Sequence, residues 1–206
     1  MAVMAAVLLC GMVLAAPSDE AGSPPAGRSS IEERRAVVRS APTDPRARLE
    51  LGLAYIQAEE YDFAMAELVE AITLNPDNTD NLAAQANYHL GIVLLAVDRA
   101  ALAVNAFREA LTLGWRDAGL YLALGQALTS QGKFDEAIMQ YREALRLAPA
   151  MTEAYAGLGL AYEASGRVEE AVTQYEHYLQ SVPATANHGV DAIRQRLATL
   201  KERRRM

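Results

Sequence analysis

Apolar residues recur three and four positions apart through most of this chain, which is the spacing of one buried face of an α-helix. In the third of four similar segments, Tyr121, Leu124 and Leu128 share one face of a predicted helix. A second predicted helix follows, and its apolar face is formed by Ala137, Ile138, Tyr141, Ala144 and Leu145. The pattern therefore predicts pairs of short amphipathic helices.

This pair of helices occurs four times. Each copy has a leucine-glycine pair, a small residue thirteen places after the leucine and a large one seventeen places after it. Three copies end in proline twenty-five places after the leucine, and Trp115 takes that place in the other. The last three copies are 34 residues apart. The four pairs are Leu51–Gly52, Leu90–Gly91, Leu124–Gly125 and Leu158–Gly159.

The period and the residue pattern resemble those of the tetratricopeptide repeat (TPR) family. The resemblance covers residues 45–185 and implies an all-α, TPR-type helical solenoid, a right-handed superhelix of helix-turn-helix repeats with a concave groove. Because a single repeat cannot bury its apolar face alone, we expect the stacking of neighbours to provide the stability. The repeats are placed at 45–78, 84–117, 118–151 and 152–185.

Glycines have two predicted roles in these repeats. The glycine of each leucine-glycine pair is expected to be a packing residue that leaves room for a neighbouring helix. Gly132 and Gly166 are expected to adopt left-handed geometry in the turn between the two helices. Five additional residues separate the first two repeats, since their leucines are 39 rather than 34 positions apart, and they predict a longer loop or an extra helical turn.

A solenoid needs ends that have one polar face. Ser30 and Glu33 have the spacing of a capping box, which predicts an N-terminal cap helix or half-repeat over 30–41. A C-terminal cap helix with a basic tail is expected over 186–206, with one apolar stripe. The stripe consists of Val190, Ile193, Leu197 and Leu200.

The first sixteen residues are uncharged and apolar, and a Pro, Gly and Ser-rich stretch follows them. We interpret 1–16 as a signal peptide, because the run is shorter than the roughly 20 residues of a membrane-spanning helix and ends in small residues. Residues 17–29 are then a flexible linker. Localisation is expected to be periplasmic, and an uncleaved N-terminal membrane anchor and a lipoprotein are alternatives. The signal lacks a basic segment, since no Lys or Arg precedes Arg28.

Composition restricts the possible functions. The formal net charge of -7 argues against general nucleic-acid binding, which would need a basic stripe. Cys10 is the only cysteine and is lost with the signal, and the three histidines have no second ligand at metal spacing. Gly157 and Gly159 lie within a predicted helix, so they are not a nucleotide loop. We therefore expect no enzyme activity, no cofactor and no metal site.

Arginines gathered at both ends are interpreted as solvated helix surface, with binding to anionic lipid or an acidic partner as the alternative.

The resemblance also indicates where a partner would bind. In TPR proteins the concave face is lined mainly by the first helix of each repeat. Mapped by distance from each leucine-glycine pair, this groove is expected to be apolar in repeats one and two and more polar toward Glu163 in repeat four. The candidate groove residues are Leu49, Leu53, Ile56, Tyr88, Ile92, Leu95, Leu122, Gln126 and Leu160.

Two interpretations of this apolar stripe remain open. An apolar or amphipathic segment of a protein partner binds there, or the N-terminal helix covers it through Ile31, Val37 and Val38, as a second copy of the chain also could. The inner positions carry no Lys, Arg or Asn, so the carboxylate clamp of chaperone-tail receptors is not expected.

The resulting hypothesis is a non-catalytic adaptor for protein-protein interaction, exported and taking part in assembly of a bacterial envelope complex. The bacterial source is suggested by abundant alanine and by seventeen arginines among nineteen basic residues. The alternatives are a self-assembling structural scaffold, which would form homo-oligomers, and a membrane-tethered or cytoplasmic TPR regulator.

Overall fold

The computed structural model describes residues 26–182 and 188–203, and side chains within 31–182 and 189–203. The predicted signal peptide, the linker before residue 26 and the last three residues of the basic tail lie outside this part of the chain. The described residues form ten α-helices and no strand. The helices are α1 (Ala26–Ser40), α2 (Pro45–Gln57), α3 (Tyr61–Thr73), α4 (Leu82–Ala96), α5 (Ala100–Thr112), α6 (Ala118–Ser130), α7 (Phe134–Leu147), α8 (Thr152–Ala164), α9 (Val168–Ser181) and α10 (His188–Arg203).

The helices divide into two compact units. The first unit contains α1–α5 and ends at Arg116, and the second begins at Asp117 and contains α6–α10. Within each unit successive helices pack against one another, and the first helices of its two repeats are also in contact. Each unit is therefore a stack of helix-turn-helix pairs, as the apolar periodicity predicts.

The start of α2 and of α6 is determined by an aspartate. The side chain of Asp44 accepts a hydrogen bond from the backbone N–H of Arg46 at 2.9 Å, and Pro45 occupies the first helical position. Asp117 accepts in the same way from the N–H of Leu120 at 2.7 Å. These carboxylates satisfy N–H groups that have no partner within the helix, and they oppose the positive end of its dipole.

The turn inside each repeat uses one residue with positive φ. Gly132 and Gly166 have φ values of +73° and +78°, which confirms the left-handed geometry expected of them. The same place is occupied by Glu59 and Asp98 in the first two repeats, each with φ of +58°. A side chain with a Cβ is strained in this region, so the first unit makes the same turn at a higher conformational cost than the second.

The five additional residues between repeats one and two are divided between two features. The helix α4 has 15 residues whereas α2, α6 and α8 have 13, and a three-residue 3₁₀ turn over Thr79–Asn81 precedes it. The buried amide of Asn75 donates to the carbonyl of Thr79 and accepts from its N–H, both at 3.0 Å. Asn78 donates to the carbonyl of Leu113 at 3.0 Å, which holds the loop against the end of α5.

The glycine of each leucine-glycine pair packs against the large residue of its own second helix. A Cβ added at Gly91 would lie 2.4 Å from Phe107, and one at Gly125 would lie 2.7 Å from Tyr141. At Gly159 the neighbouring ring is that of Tyr175, at 2.5 Å. Because these separations are shorter than any real carbon contact, the predicted packing role of the glycines is confirmed.

The helix α1 is equivalent to the second helix of a repeat. Arg35 donates a hydrogen bond to the hydroxyl of Tyr55 at 2.7 Å, and Arg142 of α7 donates to the hydroxyl of Tyr162 at 2.6 Å. Both arginines lie twenty residues before their tyrosine, and their guanidinium carbons lie 5.6 and 5.8 Å from the centres of the rings. The half-repeat expected at the N-terminus is therefore a helix that corresponds to the second helix of a repeat.

Two boundaries differ from those expected. The helix α1 begins at Ala26, so residues 26–29 are helical and not part of a linker; the capping-box spacing at residue 30 does not mark the helix start. The helix α4 begins at Leu82, two residues before the expected start of repeat two, because part of the inserted segment extends the helix. In α10, the four residues of the apolar stripe are all buried.

Candidate functional site

The nine candidate groove residues all lie on first helices, but two of them are not accessible. Leu49 and Ile56 are only 3% and 7% exposed, and they share one apolar core with Ile31 and Val38 of α1. The helix α1 packs on α2. These two residues are therefore core residues of the first unit, and their sharing of one cluster with Ile31 and Val38 agrees with the interpretation in which the N-terminal helix covers part of the stripe. Val37, which was also expected to cover the stripe, is instead 52% exposed.

One position is partly exposed in all four repeats. It lies two residues after the leucine of each leucine-glycine pair, and its four side chains are each intermediate in exposure. We call these four residues the first-helix row. In the first unit they are both aliphatic, whereas the second unit has one amide and one aliphatic side chain. The row consists of Leu53, Ile92, Gln126 and Leu160.

Tyr88, also assigned to the groove, is part of an aromatic cluster in the first unit. Its ring lies 6.1 Å from that of Phe107 and stacks on that of Trp115 at 6.3 Å, and His89 meets it edge-on at 5.0 Å. Tyr88 therefore supports the packing of repeat two, and its substitution would disturb the fold as well as any ligand. Leu95 and Leu122, the remaining candidates, are half-buried on α4 and α6.

Three residues after each row position of the second unit, a polar side chain contacts a tyrosine of the second helix. Thr129 and Tyr141 have their hydroxyl oxygens 3.2 Å apart, and Tyr175 donates to a carboxylate oxygen of Glu163 at 2.6 Å. Burial and the negative charge of Glu163 raise the pKa of Tyr175 above its ordinary value. The Tyr175 hydroxyl therefore stays protonated and holds the carboxylate in place.

Glu163 also binds the C-terminal helix. Nη1 of Arg196 in α10 lies 3.1 Å from each carboxylate oxygen, and the two side chains are only 26% and 29% exposed. A charge-assisted contact of this kind, supported from behind by the tyrosine, fixes the position of the guanidinium group. An open cleft of about 340 Å³ lies beside it. We call it the cap cleft, and its lining residues are Glu163, Ala192, Gln195, Arg196, Thr199, Leu200 and Arg203.

The sequence did not indicate this cluster. Glu163 is an inner position of repeat four, but its partner Arg196 is 33 residues away in a helix interpreted as a cap. The available signal was an isolated acidic residue on an otherwise apolar or neutral surface, followed by an arginine-rich helix. Such a combination predicts a pair only when the angle between the two helices is known.

Other residues that could have formed a metal, nucleotide or catalytic site instead make packing contacts or ion pairs within the helices. His177 stacks on Tyr155 at 5.4 Å, and Gly157 lies inside α8 where an added Cβ would be 2.6 Å from Tyr141. Two N–H groups of Arg167 donate to one carboxylate oxygen of Glu170, and this contact lowers the pKa of Glu170. Within residues 26–182 and 188–203, no three His, Cys, Asp or Glu side chains are arranged to hold a metal ion.

Most of the described arginine-rich surface at the chain ends is engaged in ion pairs. Arg34 pairs with Glu50 at 2.8 Å, Arg194 with Asp191 at 2.8 Å, and Lys201 lies against Glu176. These pairs agree with the interpretation of the basic residues as helix surface. None of the helices in the described ranges has the length and apolar character needed to cross a membrane.

Comparison with known proteins gives consistent results. A family profile described as TPR repeat matches residues 125–166, and two described as Tetratricopeptide repeat match 28–79 and 152–184. The match that begins at residue 28 includes most of the half-repeat helix α1. A curated relative, Tetratricopeptide repeat protein 8 of Caenorhabditis elegans, is 28% identical over 103 residues, which are 50% of this chain and 20% of the relative. The chain thus spans about a fifth of that relative's length.

Solved structures have the same architecture. A crystal structure of the MamA protein is 28% identical, covers 75% of this chain and 82% of its own, and has a TM-score of 0.67. YrrB, described as a TPR protein with an unusual peptide-binding site, is 22% identical, covers 75% of this chain and 77% of its own, and also has a TM-score of 0.67. These likenesses confirm the all-α, TPR-type fold. The chain belongs to the tetratricopeptide repeat family, whose repeats are typically non-catalytic protein-interaction modules.

Proposed function

We propose that this protein is a non-catalytic adaptor that binds a segment of a partner protein on the surfaces formed by its first helices. The observation that carries the proposal is the first-helix row, where Leu53, Ile92 and Leu160 are apolar yet remain partly exposed. Apolar side chains that recur on successive first helices give an apolar partner segment a surface to pack on, and contiguous apolar surface of this kind marks interaction sites. YrrB, a structural neighbour, is described as having a peptide-binding site, which agrees with this use of the fold.

The proposal extends to where the protein works. We propose that it is exported to the bacterial periplasm and takes part in assembly of an envelope complex. Support comes from the amino-acid pattern of residues 1–16 and from the arginine-rich, alanine-rich composition. N-terminal sequencing of the protein isolated from its host tests this directly. A new N-terminus near residue 16 is the expected result, and an intact Met1 in the soluble fraction would contradict export.

Affinity purification from the host with mass spectrometry tests partner binding. The variant Leu53→Arg plus Ile92→Arg places two charges on the row of the first unit, and it avoids Tyr88, whose ring supports packing. The matched control Val69→Arg plus Leu102→Arg places the same charges on the second helices of the same repeats, where the side chains are about half exposed. We expect one or a few proteins to be lost with the row variant and retained with the control, while both variants keep the helical circular dichroism of the wild type. Equal recovery of the partner proteins with both variants would contradict the assignment of the first-helix row as the binding surface.

A second candidate function is a self-assembling scaffold. It is favoured by Phe63 and Leu102, which occupy the same position in the second helices of repeats one and two and are 55% and 51% exposed. Light scattering at micromolar concentration distinguishes the two functions. A scaffold gives oligomers that Leu102→Arg dissociates, whereas a monomeric wild-type chain leaves the adaptor as the function.

A further inference from the structure

The guanidinium group of Arg196 presents an unused binding edge. The edge formed by Nε and Nη2 is the one that holds a carboxylate elsewhere in this unit: in Arg146 these atoms lie 2.9 and 2.7 Å from Oε1 of Glu143, and in Arg167 they lie 2.9 and 2.7 Å from Oε1 of Glu170. Arg196 instead binds Glu163 through Nη1 alone. Among the described residues, its Nε and Nη2 have no hydrogen-bond partner.

The cap cleft is lined, together with Arg196, by two further side chains that carry hydrogen-bond donors. Gln195 and Arg203 line it from α10, and neither side chain has a hydrogen bond or ion pair within the described residues. The two arginines outweigh the single carboxylate of Glu163, so the cleft carries an excess of one positive charge. Its apolar side chains are those of Ala192 and Leu200, and polar atoms contribute more of the lining surface than apolar ones. The site is suited to a small anionic group rather than to an apolar side chain.

We propose that the cap cleft binds a carboxylate group of the partner segment, either a side-chain carboxylate or the chain-terminal one, with Arg196 and Arg203 as its cationic ligands. This proposal rests on the proposed function, since Glu163 is the inner position of repeat four next to the first-helix row. Arginine recognises a carboxylate through two parallel N–H donors, and the Nε–Nη2 edge supplies that pair. Because Tyr175 and Glu163 already fix the guanidinium group, little side-chain freedom remains to be lost on binding.

The opposite charge is disfavoured by the same contacts. A cationic ligand for Glu163 would have to displace Arg196 from a contact made to both carboxylate oxygens, and it would then lie beside two guanidinium groups. The two possibilities give opposite responses when Glu163 is neutralised. Glu163→Gln increases the charge available to a carboxylate, whereas it removes the binding group for a cation.

Titration of the isotope-labelled full chain by NMR tests the proposal. The probe is an acetylated tetrapeptide of two alanines followed by two glutamates with a free C-terminus, and the control probe has glutamines and an amidated C-terminus. We expect saturable shifts of the α10 amides and of the Arg196 Nε–H with the acidic peptide only. Arg203→Gln should raise the Kd about tenfold, as expected for loss of one charge-assisted contact. Glu163→Gln should lower the Kd.

Lys201→Gln is the matched control, because it removes one cation from the same helix at a residue that pairs with Glu176 and does not line the cleft. Its Kd should stay within about twofold of the wild type, since exposed pairs contribute little. A Kd raised equally by Lys201→Gln and Arg203→Gln indicates general charge attraction and overturns the proposal. So does the absence of saturable shifts, or binding of a lysine-rich tetrapeptide that Glu163→Gln abolishes.

The outcomes also separate this proposal from the adaptor function. If Leu53→Arg plus Ile92→Arg loses host partners while the acidic peptide leaves α10 unshifted, the adaptor function stands and the cleft proposal fails. If the peptide binds as expected but the row variant keeps every partner, the cleft is a binding site and the first-helix row is not.

Discussion

The helices α1 and α7 are equivalent in register but not in surroundings. Each places an arginine on a tyrosine of the following helix at 2.6 to 2.7 Å, yet α7 is packed between α6 and α8, whereas the described partner of α1 is α2. The difference lies on one face. Where α7 has Tyr141, 2% exposed against Gly125 of α6, α1 has Arg34, which pairs with Glu50.

This comparison shows how little is needed to convert a repeat helix into a cap. The face that contacts the following helix is retained, with Ile31 and Ile138 both buried at the equivalent position. One position changes from aromatic to charged: Tyr141 lies against Gly125 of α6 and Gly157 of α8, whereas Arg34 pairs with Glu50 of α2. A polar outer face is what a solenoid end requires for solubility.

The largest effect on stability is expected when Tyr141 of α7 is replaced by arginine, which is the residue that α1 has at the equivalent position. Tyr141→Arg would bury a guanidinium group without a partner between α6 and α8, and we expect it to destabilise the protein by about 4 kcal/mol. Tyr141→Phe is the matched control, which loses only the hydroxyl contact with Thr129 and costs about 1 kcal/mol. Urea unfolding followed by circular dichroism measures both. Similar midpoints for the two variants would mean that the face of α7 does not need an aromatic residue.

A second substitution tests the packing of α7 on α6, for which α1 has no counterpart among the described residues. Gly125→Ala places a Cβ 2.7 Å from the Tyr141 ring, and overpacking of this kind costs about 2 kcal/mol. At the equivalent Gly52 a Cβ would lie 3.0 Å from the flexible side chain of Leu68. There, the gain in helix propensity of about 1 kcal/mol offsets the strain, so Gly52→Ala should be nearly neutral. Thermal unfolding of the two variants tests this order, and equal losses would refute the packing argument.

Removing the arginine contact should affect the two helices differently. Arg35→Ala and Arg142→Ala each lose one hydrogen bond to a tyrosine hydroxyl, and we expect a loss of about 1 kcal/mol for each. Native-state hydrogen exchange distinguishes their consequences, because α7 is still held by α6. We expect the amides of α1 to lose protection with Arg35→Ala and those of α7 to keep it with Arg142→Ala. Unchanged protection of α1 would show that its apolar contacts suffice.

The smallest change in stability is expected from the reverse exchange. Arg34→Tyr removes one partly exposed ion pair, with Glu50 of α2, and a pair of this kind contributes about 0.5 kcal/mol. The exposed ring, next to the half-exposed Val37, should instead promote self-association. Sedimentation velocity over a range of concentrations detects it, with Arg34→Gln as the polar control. A monomer for both variants would argue that charge at this face is not needed for solubility.

The repeats, their helix pairs and the glycine packing could be predicted because each depends on contacts between residues at fixed spacing. Exposure could not be predicted in the same way. Leu49 and Leu53 are both leucines on α2 four positions apart, yet the first is buried and the second is partly exposed, because the neighbouring helices and not the spacing decide which side chains of α2 are covered.

The candidate site was accordingly predicted only in part. The first-helix row follows from the repeat, but the assignment of Tyr88 to the groove missed its ring contacts with Phe107 and Trp115. The contact between Glu163 and Arg196 joins the last repeat to a helix that does not follow the repeat pattern, so no spacing rule could indicate it.

Arg35 and Arg142 each lie twenty residues before the tyrosine to which they donate a hydrogen bond, and this short separation has a consequence for synthesis of the chain. Such short-range contacts give a low contact order, which is typical of rapid folding. A helix such as α1 or α7, whose arginine contacts the following helix, can dock only after that following helix has left the ribosome. The nascent chain is therefore expected to acquire structure in steps from the N-terminal side, with each newly emerged repeat securing the one made before it.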